Sequence, residues 1–227
     1  MINHATVTSS GVLRPTQVEV DLDRLTANYR AIQAHAAPAT VMPILKANAY
    51  GHGLPQIVNM LIPLKQVEYL SVHSIEEAIT CREHGWTRKI MVLGPIPPPA
   101  LDLVAACNLE PVVTDKETLR TLGKISSRRK KKILTHVKLE TGTNRQGIAE
   151  KELPAFAAIY KRYPLLKAHG ASTHFANIED TTSHEYALYQ LDQFVTLVNR
   201  MRKLEIAPKV RHTASSAAMI LFEKTHF

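Results

Sequence analysis

The sequence predicts an α/β chain of the TIM type, a (β/α)8 barrel that stops one strand short. Three observations point there. Seven short β-like runs alternate with helix-like stretches, the pattern of a parallel sheet with crossover helices. A further helix start, Ser215–Leu221, follows the seventh run. The glycine-rich turn that a doubly wound sheet displays after its first strand is missing, since nothing matches GxGxxG or GxxxxGK[ST].

The segment from 1 to 14 reads as a flexible lead, and 15 to 227 as one barrel domain that is incomplete at its C-terminal end. An extended piece around Gln17–Val20 precedes a helix that starts after Asp21 and carries Leu22, Leu25, Tyr29 and Ile32 on one face. The strands follow in order as Thr40–Leu45, Tyr69–Val72, Lys89–Leu93, Pro111–Thr114, Ile133–Leu139, Lys167–Ser172 and Lys209–His212. Between them, Ser74 and Glu77 have the spacing of a capping box, with Gly85 as the stop of that helix. Asp115 and Gly123 bracket another helix, and Leu191, Phe194, Val198 and Met201 form the core stripe of the long helix before the last strand.

Composition narrows the function classes. The 227 residues are 45% hydrophobic and 21% charged, and no apolar run approaches the roughly 18 residues that span a bilayer. Two cysteines, Cys81 and Cys107, form no CxxC pair, so a disulfide framework or zinc site has no support and a reducing cytoplasm fits. The net charge of +8 raises the question of nucleic acid, with Arg128 to Lys132 as the local source. No aromatic residues interleave with that run, so it reads as a solvated loop and nucleic acid is not expected as a partner.

Four segments carry chemistry. Lys46 follows the apolar run Val41 to Leu45 and precedes Ala-Asn-Ala-Tyr-Gly-His-Gly, which puts an amine where barrel enzymes keep reactive groups, at the C-terminal end of a strand. By itself such a lysine reads as one that snorkels out to solvent. The second segment, Lys138-Leu-Glu-Thr-Gly-Thr-Asn-Arg145-Gln-Gly, ends the fifth strand. The third is Ala171-Ser-Thr-His174-Phe-Ala, at the end of the sixth. His169 and His174 are an odd number apart, so they face opposite sides of a regular strand and make no metal pair. The fourth, His212-Thr-Ala-Ser215-Ser216-Ala-Ala, opens a short helix whose free N–H groups suit a phosphate, although an ordinary serine cap fits equally.

Together, RPTQVEVDLDRLTANYR, ILKANAYGHG and these segments resemble the alanine racemase family, over essentially the whole chain but only the front part of the family. The resemblance implies a pyridoxal 5'-phosphate (PLP) barrel with Lys46 as the Schiff-base lysine and one of two catalytic bases. It implies Tyr50 and Ser216 as phosphate ligands, with Ser215 in place of an asparagine. Arg145 would meet the cofactor phenolic oxygen and the substrate carboxylate, a task that suits a planar, permanently charged fork. His174 would lie near the cofactor ring, and Lys138 matches a lysine that many members carry as a carbamate. Glu140 and Thr143 depart from the family pattern, where Asp and Met are usual. The implied activity is L-alanine to D-alanine conversion for peptidoglycan, by a homodimer in which a C-terminal β domain supplies a tyrosine as the second base. The eighth strand and that domain are not among these residues, so this chain alone is expected to be inactive. The alternative is a barrel protein that binds PLP for cofactor homeostasis without turnover.

Overall fold

The computed structural model of the chain describes residues 18–179 and 183–227. The expected 1 to 14 lead lies outside the described residues, and the part of the expected Gln17–Val20 piece that is described forms no strand.

Among the described residues six strands form one all-parallel sheet in the order of the sequence: β1 (Tyr69–Val72), β2 (Lys89–Val92), β3 (Glu110–Val113), β4 (Ile133–Lys138), β5 (Leu166–Ser172) and β6 (Val210–His212). A doubly wound sheet reverses its order part-way, and this one never does. It curls as part of a barrel, with helices on its outer face. These are α1 (Leu22–Ala36), α3 (Leu54–Leu61), α4 (Ile75–Glu83), α5 (Leu101–Ala106), α6 (Lys116–Arg128), α7 (Leu153–Arg162), α8 (Glu185–Lys203) and α9 (Ser216–Leu221), with a single turn, α2 (Lys46–Tyr50), before α3. The last helix comes back to the first, since α1 packs against both α3 and α9. One apolar core runs between sheet and helices, from Val58, Leu61 and Leu70 through Ile90 and Leu122 to Phe156 and Phe194.

Local signals place most helices. Asp21 caps α1 by accepting from the Arg24 N–H at 3.0 Å, Asp115 caps α6 through Thr118, and the Ser74 and Glu77 capping box is formed at α4. Gly85, at φ +86°, turns the chain just after α4. Phe194, Val198 and Met201 are buried as the stripe of α8 requires.

Two expectations need correction. The run Thr40–Leu45 is not a strand but a single bridge, Ile44 to Ser71, with two backbone bonds: Leu45 N–H to Ser71 O at 2.7 Å and Ser71 N–H to Pro43 O at 2.9 Å. Pro43 has no N–H to extend the ladder. Gly123 does not end its helix, which continues to Arg128. It lies buried inside α6, where a Cβ would overlap the Tyr163 ring, so its function is close approach rather than termination. The basic run is, as expected, a mostly exposed loop after the end of α6, and it is tied to its neighbours. Arg128 ends α6, Arg128 and Arg129 both pair with Asp102, and Lys131 Nζ donates to Ala105 O at 2.5 Å.

Two arginines lock the loops that enter β1, β2 and β3. Arg88 donates to the carbonyls of Leu64, Val67, Leu61 and Ile62 at 2.5 to 3.3 Å, so it covers the exposed end of α3. Arg82 does the same for Cys107, Trp86, Arg88 and Asn108 at 2.6 to 3.0 Å. The Arg88 fork serves four carbonyls that an ammonium could not reach together. Arg88→Ala is expected to cost on the order of 3 kcal/mol, with Arg88→Lys recovering less than half, as read from urea denaturation midpoints.

Candidate active site

The predicted site residues lie at or just after the C-terminal ends of β4, β5 and β6, except Lys46 and Tyr50, which follow the single bridge at Ile44. Lys46 follows the bridged segment, Lys138 ends β4, Arg145 is in the loop after it, His174 is two residues past β5, and Ser215 and Ser216 follow β6.

The turn that begins at Lys46 is wound left-handed. Ala47, Asn48 and Ala49 lie near φ +53°, ψ +50°, and Tyr50 has φ +56°. Each such non-glycine residue costs roughly 1–2 kcal/mol, so the turn needs support. It gets this from outside itself. The Glu77 carboxylate accepts the Ala47 N–H at 2.7 Å through one oxygen while the other takes the N–H groups of His73 at 2.7 Å and Ser74 at 3.2 Å. Asn48 accepts the Leu54 N–H at 2.7 Å and so joins the turn to the start of α3. Gly51 and Gly53, at φ +88° and +93°, bring the chain out of the turn. As a result Lys46 is half-buried, with Nζ 5.7 Å from the Tyr50 ring centroid, and the Tyr50 side chain is 60% exposed.

Lys138, Arg145 and His174 form the second part. Burial, and then the Arg145 charge, lower the Lys138 amine to about 8, with Glu140 opposing them. Burial also lowers His174, helped by the charges of Lys138, Arg145 and Lys46, so the imidazole is neutral at neutral pH. Lys138 and His174 thus both feel the Arg145 charge. Arg145 is exposed in a loop that its departures from the family motif help to shape: Glu140 accepts the N–H groups of Gly142 at 2.5 Å and Asn144 at 3.1 Å, and the Thr143 hydroxyl donates to His174 O. Ser215 caps α9, accepting from Ala218 N–H at 3.3 Å, and donates to Glu179 at 2.9 Å; Ser216 is exposed beside it. Glu179 also acts on His174, which joins Ser215 to the group.

Sequence reasoning missed three supports. Glu77 was read only as a helix cap. Gln190, fully buried on α8, ties the two strand-end loops together: it donates to His174 O at 3.1 Å, Thr143 Oγ1 at 3.3 Å and Thr141 Oγ1 at 3.4 Å, and accepts from Ala176 N–H at 3.0 Å. Its place in an apolar helix stripe was the available signal. Third, Glu110 and His136 are buried inside the barrel. The alternation expected around His169 is interrupted by a register shift in the β4 and β5 pairing, and the His169 ring faces that of His136 at 5.9 Å.

Comparison with known proteins decides the family. The model of the alanine racemase N-terminal domain matches residues 20–227. The chain belongs to the alanine racemase family. It is 31% identical to alanine racemase of Carboxydothermus hydrogenoformans, over 95% of this chain and 58% of that protein. It is 32% identical to alanine racemase 2 of Caldanaerobacter subterraneus, over 91% and 53%. The fold matches the crystal structure of alanine racemase from Bacillus anthracis with bound L-Ala-P, at TM-score 0.85 and 29% identity over 96% of this chain and 56% of that one. The chain therefore spans a little over half the length of these alanine racemases. Among the described residues no helix is long and apolar enough to cross a membrane.

Two outcomes follow. Glu77→Ala removes the support of a strained turn and should speed amide hydrogen exchange at Ala47 while α4 loses about 1–2 kcal/mol of cap. For Lys138, the folded chain holds its proton less tightly than the unfolded one, so stability rises with pH between about 8 and the ordinary 10.5. Lys138→Met should accordingly stabilise the protein at pH 7 by about 1–3 kcal/mol, with the gain fading toward pH 10.5 in denaturation series.

Proposed function

We propose that this barrel is the PLP-binding part of an alanine racemase, with Lys46 as the residue that holds the cofactor. What supports this most is a set of cationic side chains in the motif segments: Lys46 just ahead of a strained turn, Arg145, and Lys138 and His174, both lowered by burial and by the Arg145 charge. An anionic aldehyde fits that donor set. Lys46 would hold the group through Nζ, and Tyr50, Ser215 and Ser216 would take its phosphate, together with the N-terminal end of α9. When bound, PLP supplies an electron sink for a carbanion at the α-carbon.

The remaining roles fall to this chain's own groups. Arg145 would accept the substrate carboxylate in its fork, and its exposed loop leaves it free to do so. Lys46 would carry the α-proton of the substrate on one face. His174, kept neutral, would sit near the cofactor without adding a positive charge. Lys138, with a neutral amine within reach of physiological pH, would add carbon dioxide and lose a proton, becoming a carbamate that orients Arg145. In the whole protein we assign the conversion of L-alanine to D-alanine, by a cytoplasmic homodimer serving peptidoglycan synthesis.

The test is to add PLP to the purified chain, record the visible absorbance of bound cofactor, and reduce with borohydride. A pyridoxyl group on the Lys46 peptide by mass spectrometry is the expected result, with at least a tenfold loss of binding in Lys46→Ala. A reduced adduct at any other lysine, or unchanged binding in Lys46→Ala, sinks the assignment. Racemisation by a longer protein that contains this domain separates a racemase from a cofactor-storing barrel.

A further inference from the structure

The left-handed turn carries two groups that the cofactor reading assigns to opposite ends of one ligand. Lys46 opens the turn and Tyr50 closes it, with Lys46 Nζ 5.7 Å from the Tyr50 ring centroid. Between them Ala47, Asn48 and Ala49 are all left-handed, and the two alanines offer only methyl groups, which cannot hold that shape. The support comes from the segment that runs from β1 into α4. Ahead of Lys46, the Leu45 N–H donates to Ser71 O at 2.7 Å. Behind it, Glu77 Oε1 accepts the Ala47 N–H at 2.7 Å. Lys46 is therefore flanked on both sides by bonds to one stretch of chain, and Asn48 fixes the exit by accepting the Leu54 N–H at 2.7 Å.

The two oxygens of Glu77 divide the work. Oε2 accepts the N–H groups of His73 at 2.7 Å and Ser74 at 3.2 Å, and the Ser74 hydroxyl accepts the Glu77 N–H at 3.3 Å. Those bonds alone complete the capping box of α4. Oε1 takes no part in the cap and is left for the turn, where an ionised carboxylate, which only accepts, suits a backbone N–H.

We propose that Glu77 is a positioning residue for the cofactor: by holding Ala47 it fixes the spacing between the Lys46 amine and the Tyr50 hydroxyl, so that a ligand with an aldehyde at one end and a phosphate at the other meets both groups at once. The inference rests on the cofactor reading and adds to it a residue from outside the four motif segments. Two groups preset on one turn reinforce each other, because a ligand held at one end is presented to the other at high effective concentration. Once the turn is loosened each group still acts, but alone. The effect therefore falls on a ligand held at both ends and spares one held at a single end.

The test compares PLP with pyridoxine 5'-phosphate, which keeps the ring and phosphate but has an alcohol in place of the aldehyde and forms no bond to an amine. Dissociation constants for both are measured on the 227-residue chain, and the lysine that holds PLP is read by borohydride reduction and mass spectrometry. In Glu77→Gln the amide oxygen can serve His73 and Ser74 and keep the cap, which leaves the amide NH2 facing the Ala47 N–H, donor against donor. The preference for PLP over pyridoxine 5'-phosphate should fall about tenfold, with binding of the alcohol changed less than about twofold. Ser74→Ala removes the cap hydroxyl but leaves Oε1 on Ala47, so it should lower the melting temperature and keep the preference. Circular dichroism confirms that each variant is folded. An unchanged preference in folded Glu77→Gln overturns the proposal, as does an equal loss in Ser74→Ala, which would make Glu77 a helix cap and nothing more. A wild-type Ala47 amide that exchanges as fast as an unfolded chain's overturns it whether or not the variants fold. Wild type that traps PLP at another lysine, or at none, while that amide is protected, overturns the cofactor reading and this inference with it.

Discussion

A carboxylate on the first turn of α4 supports the turn that carries Lys46. Four consecutive non-glycine residues in left-handed conformation are unstable by themselves, and the Glu77 bond to the Ala47 N–H, with the Asn48 bond to the start of α3, ties them to other elements. The same carboxylate caps α4, so helix and turn are set by one side chain. Because the strain is confined to residues 47 to 50, the amine just before them is held next to the Ile44 bridge rather than released on a loose loop.

The rest of the domain arranges rigid elements around that point. Arginines 82 and 88 close the loops that enter the strands, so those loops are fixed by backbone carbonyls and leave the opposite strand ends to carry function. At those ends Gln190 binds the loop after β4 to the loop after β5, which keeps Arg145 and His174 in a constant relation although Arg145 itself is exposed. Inside the barrel, polar groups replace the apolar layers expected of such a core, and Gly170 makes the space in which they connect. Burying them is costly unless each is bonded, and the Glu110 oxygen with its two donors meets that condition.

Much of this was legible because it is local. Strand runs at Tyr69, Lys89 and Ile133 are rich in apolar or β-branched residues, and caps at Asp21, Ser74 and Asp115 are decided within four residues. Errors arose where a local sign had a distant cause. Gly123 looked like a helix stop, but it answers to Tyr163 forty residues on. Thr40–Leu45 had strand composition, yet a proline and a left-handed turn directly after it left room for a single bridge.

The sequence by itself determined the alternating α/β order, the helix caps and, through motif resemblance, the family and the residues to watch: Lys46, Tyr50, Lys138, Arg145, His174, Ser215 and Ser216. Only the tertiary structure decided the left-handed course of the chain at Lys46, the second task of Glu77, and the reach of His136 across Gly170 to His212. The reason is physical: caps and periodicity depend on neighbours within a turn or two of the chain, whereas these three depend on groups 30 to 76 residues apart that meet only when the sheet curls.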